Sequence, residues 1–80
     1  MQWHPEQDLK KIREILRALL SGQVINDDDD IYEAGLTSIM VLPLLSEIEE
    51  TFGLTVPDAE FLDAHTPRAL AQMVQRLRGN

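Results

Sequence analysis

Apolar residues recur along this chain at helical spacing, and nowhere do they alternate as a half-buried strand requires. From Pro5 to Leu20, Leu9, Ile12, Ile15, Leu16, Leu19 and Leu20 return every third or fourth position, with Lys10, Lys11, Arg13, Glu14 and Arg17 between them. This predicts an amphipathic helix. Pro5 suits its first turn, where a missing N–H has no partner to lose, and Ser21-Gly22 supplies the left-handed residue that ends many helices. The stretch from Gln23 to Thr37 keeps no period, and its small and acidic residues favour turns. It reads as a long ordered loop, packed by Val24, Ile25, Ile31, Tyr32 and Leu36.

Beyond the loop, Val41, Leu44, Leu45, Ile48 and Phe52 share one arc of a second helix, capped by Thr37 or Ser38 and ending at Gly53. Pro57 pushes Val56 into an extended conformation, and Asp58 is placed to cap a short helical turn through AEFLDA. Thr66 and Pro67 give two start signals for a last helix with Leu70, Met73, Val74 and Leu77 on its inner face. That helix stops near Gly79, with Arg76 and Arg78 at the negative end of its dipole. The pattern predicts an all-α four-helix bundle, three longer helices and one short, with a long first loop, forming one domain over residues 1–80.

Pro43 conflicts with a helix starting at Ser38, because it cannot donate to the Ile39 carbonyl and an interior proline costs about 3 kcal/mol. The expected escape is a loosened or 3₁₀-like first turn, or regular helix beginning nearer Met40. On the side away from the core this helix would display Ile39, Met40, Pro43, Ser46, Glu47 and Glu50, apolar near Ser38 and acidic further on.

With 80 residues the chain has room for one modest core and little for a deep catalytic cleft. Its 44% apolar and 26% charged content fits a chain that folds on its own. Seven Lys and Arg against fourteen Asp and Glu leave a net charge of −7. Such a field repels nucleic acid and anionic membranes, and it favours partners with a basic docking surface. The absence of cysteine removes disulfides, thiolate metal sites and thiol catalysis. The N-terminal segment lacks the apolar stretch of a signal peptide, and no apolar run is long enough to span a bilayer, so a cytoplasmic location is expected. Beginning at Met1 and ending just past the last helix, the chain is expected to be a free-standing monomer.

Ser38 is the residue with the most chemistry on offer. A nucleophilic serine needs a positioned base, and His4 and His65 stand in no triad pattern around it. An ordinary helix cap is the plain alternative. An exposed hydroxyl at a helix N-terminus is also well placed to carry a phosphate ester, since free N–H groups and the positive dipole end favour the anion. Asp27 to Asp30 invite a calcium reading, but an EF-hand loop begun at Asp27 needs glycine and glutamate where Tyr32 and Ser38 stand. The run reads as a solvated acidic loop. Two isolated histidines make no metal site, so no metal is expected. Trp3 would cover the bundle edge or stay mobile.

The segment GLTSIMVLPLLSEIEETFGLTVPD, followed by a short helix and TPRALAQMV, resembles the acyl and peptidyl carrier proteins. In that family a serine opening the second helix of a four-helix bundle is modified with 4′-phosphopantetheine. Gly35, Leu36, Ser38, Ile39, Glu49, Phe52 and the Pro57-Asp58 pair stand where the pattern has its Gly-Leu-x-Ser-hydrophobic start, acidic helix end, aromatic and Pro-Asp turn. The resemblance covers nearly the whole chain. One departure is Thr37, where the family usually has Asp or His, and it leaves open which transferase loads the arm.

The resemblance implies a non-catalytic carrier whose Ser38 bears the covalent arm, holding an acyl or aminoacyl group as a thioester. It implies docking of a phosphopantetheinyl transferase, an acyl- or aminoacyl-loading ligase and downstream transfer enzymes on Ile39, Met40, Pro43, Glu47 and Glu50. The Thr-Ser start and the apolar end of this face tilt the cargo toward an aminoacyl or specialised short-acyl group, as in a stand-alone aminoacyl carrier protein. The rival reading is an unmodified helical protein–protein interaction domain that uses the same face only for binding. A hydrolase using Ser38 lacks both base and cleft.

Overall fold

The computed structural model describes residues 5–79, in which four helices follow one another: α1 (Pro5–Leu19), α2 (Ser38–Phe52), α3 (Asp58–Asp63) and α4 (Pro67–Gly79). Trp3 and His4 lie outside the described residues. The helix ends follow from local chemistry. Ser21 and Gly22 take the left-handed conformation, with φ of 58° and 84°, and the Gly22 N–H reaches back to the Arg17 carbonyl at 2.8 Å. Gly53 closes α2 in the same way at φ 66°, and the Gly53 and Leu54 N–H groups share the Glu49 carbonyl at 2.9 and 3.2 Å. At the start of α4 the Thr66 hydroxyl accepts the Ala69 N–H at 3.0 Å, with Pro67 as the first helical residue.

Two expected caps differ. Pro57 occupies the cap position of α3 and Asp58 is the first helical residue, with no side-chain cap bond, so its charge acts through the helix dipole instead. Thr37 is the cap residue of α2, yet its hydroxyl makes no capping bond.

The core is filled from every helix. Ile12 and Leu16 of α1, Leu44 and Ile48 of α2, Phe61 of α3, and Leu70, Met73 and Val74 of α4 are buried, joined by Ile31 from the loop. Burying each such side chain contributes about 1.5–3 kcal/mol, whereas an exposed ion pair contributes about 0–1 kcal/mol. Packing therefore sets the fold. α1 packs on α4 and α2, and α3 packs on α4.

Charged groups gather at one pole of the bundle. Arg78 at the end of α4 pairs with the buried Asp8 near the start of α1. Lys11 and Arg78 both lie over the ring of Phe52, at 5.9 and 6.0 Å from its centroid, at the end of α2. α1 thus runs antiparallel to α2 and α4.

The first loop is fastened along its length. Ile31 N–H bonds the His65 carbonyl at 2.8 Å and Arg68 N–H bonds the Asp27 carbonyl at 2.9 Å, which ties the loop to the start of α4. Ile25, Ile31 and Leu36 are buried and Tyr32 is half-buried, as the sequence suggested, but Val24 is 76% exposed. Adjacent apolar residues cannot both turn inward from an extended loop, and Ile25 takes the core.

In the acidic run Asp28 and Asp29 are exposed, as expected of a solvated loop, and the run is also tied down. Asp27 pairs with Arg13 at 2.6 Å, Asp28 pairs with Arg68 at 2.8 Å, and Asp30 accepts the Tyr32 and Glu33 N–H groups at 2.8 and 3.1 Å. The Arg68 hydrogen bond holds the Asp28 carboxyl below its ordinary range, and the same bond raises Arg68.

Candidate functional site

Ser38 is the first residue of α2 and is exposed. The preceding backbone explains why. Gly35 adopts φ 123°, a conformation that side chains rarely tolerate, and turns the loop so that Leu36 is buried while Thr37 and Ser38 face outward. Thr37 is extended, with φ −100° and ψ 168°, so the helix starts abruptly after it.

The chemistry of this start is open to an anion. The Ser38 hydroxyl makes no hydrogen bond among the described residues, no side chain caps the helix, and no carboxylate stands in its first turn. Helix N–H groups that lack a side-chain acceptor, at the positive end of the dipole, suit a phosphate group. The residues present therefore fit a phosphate ester on Ser38. His65, the one described histidine, is engaged elsewhere. Its Nε2 lies 2.8 Å from the Leu62 carbonyl, its Nδ1 lies 3.7 Å from Asp30, and its ring meets Tyr32 edge-on at 5.3 Å. Among the described residues no cluster of His, Asp and Glu is placed to hold a metal ion, and no helix is long and apolar enough to cross a membrane.

α2 takes the first of the two expected escapes, a 3₁₀-like first turn. Helix runs unbroken from Ser38 with Pro43 inside it, so regular helix does not wait until Met40. The Met40 N–H bonds the Thr37 carbonyl at 2.9 Å, a 3₁₀-type contact that tightens the first turn. Pro43 is exposed, so its ring faces solvent, and the carbonyl it cannot reach belongs to Ile39, which is 85% exposed. Water can serve that carbonyl, which is why the helix tolerates the proline.

The outward face holds Ile39, Pro43, Ser46, Glu47 and Glu50, all exposed. Met40 does not belong with them. It is half-buried and packs on the core edge, beyond the outward arc. Leu42 takes the vacated apolar role at 71% exposure, and the periodicity missed it because it stands at the border of the core arc. The available signal was its spacing: Leu42 lies one turn after Ser38, where i and i+4 side chains are neighbours. Leu62 of α3 is a further exposed apolar residue, at 54%.

The chain matches the family model for the phosphopantetheine attachment site over residues 10–74. It is 33% identical over 79 residues to the anthracycline acyl carrier protein DpsG of Streptomyces peucetius, which covers 91% of this chain and 94% of that protein. It is 36% identical over 74 residues to the D-alanyl carrier protein of Lactobacillus delbrueckii subsp. bulgaricus, covering 86% of this chain and 91% of that protein. The citrinin polyketide synthase of Monascus ruber is 32% identical over 71 residues, and there the matching stretch, 86% of this chain, spans 3% of the synthase. No solved structure matches significantly. A family model that runs from within α1 to within α4 of this helical bundle makes the chain a member of the phosphopantetheine-binding carrier family, whose domains tether acyl groups as thioesters on a phosphopantetheine arm.

Proposed function

We propose that Ser38 is the residue that carries the arm and that the cargo is a short acyl or aminoacyl group. The observation that carries this reading is the start of α2, with an exposed, unengaged hydroxyl ahead of a first turn that has neither a capping side chain nor a carboxylate. A phosphate ester there gains about 0.3–1 kcal/mol from the helix dipole. Attachment from coenzyme A forms an O–P bond at the serine, expels adenosine 3′,5′-bisphosphate and gives up the hydroxyl proton. The bound arm supplies a terminal thiol, on which a loading ligase places the cargo and from which downstream enzymes take it.

The face those partners read is Ile39, Leu42 and Pro43 beside Ser38, with Met40 at its edge and Glu47 and Glu50 as an acidic rim. Exposed branched residues one turn apart next to a reactive serine give an adaptable anchor, and the carboxylates steer a basic partner. The cargo reading draws support from the enclosed Leu44, Ile48, Phe61, Leu70 and Val74, which fill the space between the helices. Among the relatives, one is named a D-alanyl carrier protein and another an anthracycline acyl carrier protein, so both aminoacyl and acyl cargo occur among proteins similar to this chain.

The deciding experiment is incubation with coenzyme A and a broad-specificity phosphopantetheinyl transferase, followed by intact-mass measurement. One arm is expected per chain, absent in Ser38→Ala. Because the chain has no cysteine, thiol titration of the product counts arms directly. An unchanged mass with an active transferase would point instead to an unmodified interaction domain.

A further inference from the structure

A cleft between α1 and the first loop has no part in the fold or in the α2 face. It is an open groove with a volume of about 680 Å³, and Lys10, Glu14, Arg17, Gln23, Val24 and Asn26 contribute to its lining. That volume falls in the range of roughly 300–1,000 Å³ typical of small-molecule sites. Nearby side chains are committed: Arg13 to Asp27, and Arg68 to Asp28. The side chains of Lys10, Arg17, Gln23 and Asn26 make no hydrogen bond or ion pair among the described residues, and Val24 is 76% exposed beside its buried neighbour Ile25. The cleft therefore offers an uncovered branched apolar group, two free amides, two free cations and one free carboxylate, Glu14.

We infer that this cleft is the resting site of the arm, an inference that rests on Ser38 carrying it. Reach comes first. A methyl group built on Gly35 would lie 3.9 Å from the Gln23 Oε1, so the loop leading into Ser38 passes beside the cleft wall. Ser38 follows three residues later, at most about 11 Å of chain. The arm, stretched, equals roughly four extended residues, about 15 Å, which brings its distal half to Gln23 and Val24.

Chemical fit comes second. The arm carries a quaternary dimethyl carbon, a hydroxyl and two amides, which match Val24, Gln23 and Asn26, while Arg17 and Lys10 can donate to amide and thioester carbonyl oxygens. A tether of this length also places the arm at an effective concentration in the millimolar range, so weak contacts suffice to populate the site. An untethered peptide has no such advantage. Held there, the thioester stays off the α2 face until an enzyme docks.

The test uses the holo-protein, its arm confirmed by mass. The arm thiol is the sole thiol, so a nitroxide attached to it reports one position. In ¹H–¹⁵N spectra, with the reduced label as reference, the amide peaks of Gln23, Val24, Asn26 and Arg17 should lose more than half their intensity. Those of Ala59 and Leu62 in α3 should keep most of theirs. Val24→Asp, which alters an exposed side chain, should restore the cleft peaks at least twofold with an unchanged melting temperature. Broadening spread evenly around Ser38, insensitivity to Val24→Asp, or cleft peaks that respond only to an added partner enzyme would each overturn the resting site while leaving the carrier reading intact. A chain that takes up no arm would remove both together.

Discussion

Glu49 stands near the end of α2 and holds the turn that follows it. The family resemblance includes it only as the acidic end of the second helix. The structure gives it another job: its Oε2 accepts the Val56 N–H at 2.9 Å and its carbonyl accepts Gly53 and Leu54. Val56 is buried, so without Glu49 its N–H would be left unpaired away from water. Glu49→Ala should therefore destabilise the fold by about 1–3 kcal/mol in denaturant melts, and Glu49→Gln should recover most of it because an amide oxygen can still accept. Normal stability for the alanine variant would show that the Val56 N–H finds another acceptor. This role was not legible in the sequence, because the bond spans seven residues and depends on how the chain turns at Gly53. Ser38, by contrast, was legible, since Gly35, Leu36 and the apolar run behind it fix its place at a helix start.

At the level of elements, the helices could be read almost to the residue wherever a cap announced them. Thr66 with Pro67 and Ser21 with Gly22 act through bonds of three to five residues, so local sequence contains the answer. The loop and the flanks of α2 contained less. Val24 against Ile25, and Met40 against Leu42, are choices between similar residues made by tertiary packing. Pro43 was the remaining ambiguity, and α2 resolves it by continuing through the proline. If that proline is retained for the partner face, it does so at the expense of stability. Pro43→Ala supplies the missing N–H to Ile39 and removes no buried contact, so it should raise stability by about 1–3 kcal/mol, read as a higher melting temperature. An unchanged or lowered melting temperature would mean that the first turn has already relaxed around the ring.

Over the whole molecule, charge is sorted by element. All seven Lys and Arg lie on α1 and α4, while residues 18–67 carry eleven carboxylates and no Lys or Arg. The proposed docking face thus lies within the acidic stretch of the chain, which favours a basic partner. Reversing Glu47 and Glu50 to Lys should slow association with the loading enzyme and flatten its salt dependence, whereas Leu42→Asp should mainly speed dissociation. Stopped-flow binding at two salt concentrations, alongside thermal melts, separates the two effects. Unchanged kinetics for Leu42→Asp would move the anchor off this part of α2. The pairing of Asp8 with Arg78 has a mechanical meaning as well. It gathers the described ends of the chain at the pole where α2 finishes, and the 15 residues of α2 set Ser38 about 22 Å away along the helix axis. Anything strung to either end, whether a linker, a label or a neighbouring module, hangs from one pivot. With the arm on Ser38 as proposed, the serine traces the far end of the swing, and the bundle would turn from one enzyme to the next like a crane jib, without its own cable crossing the load.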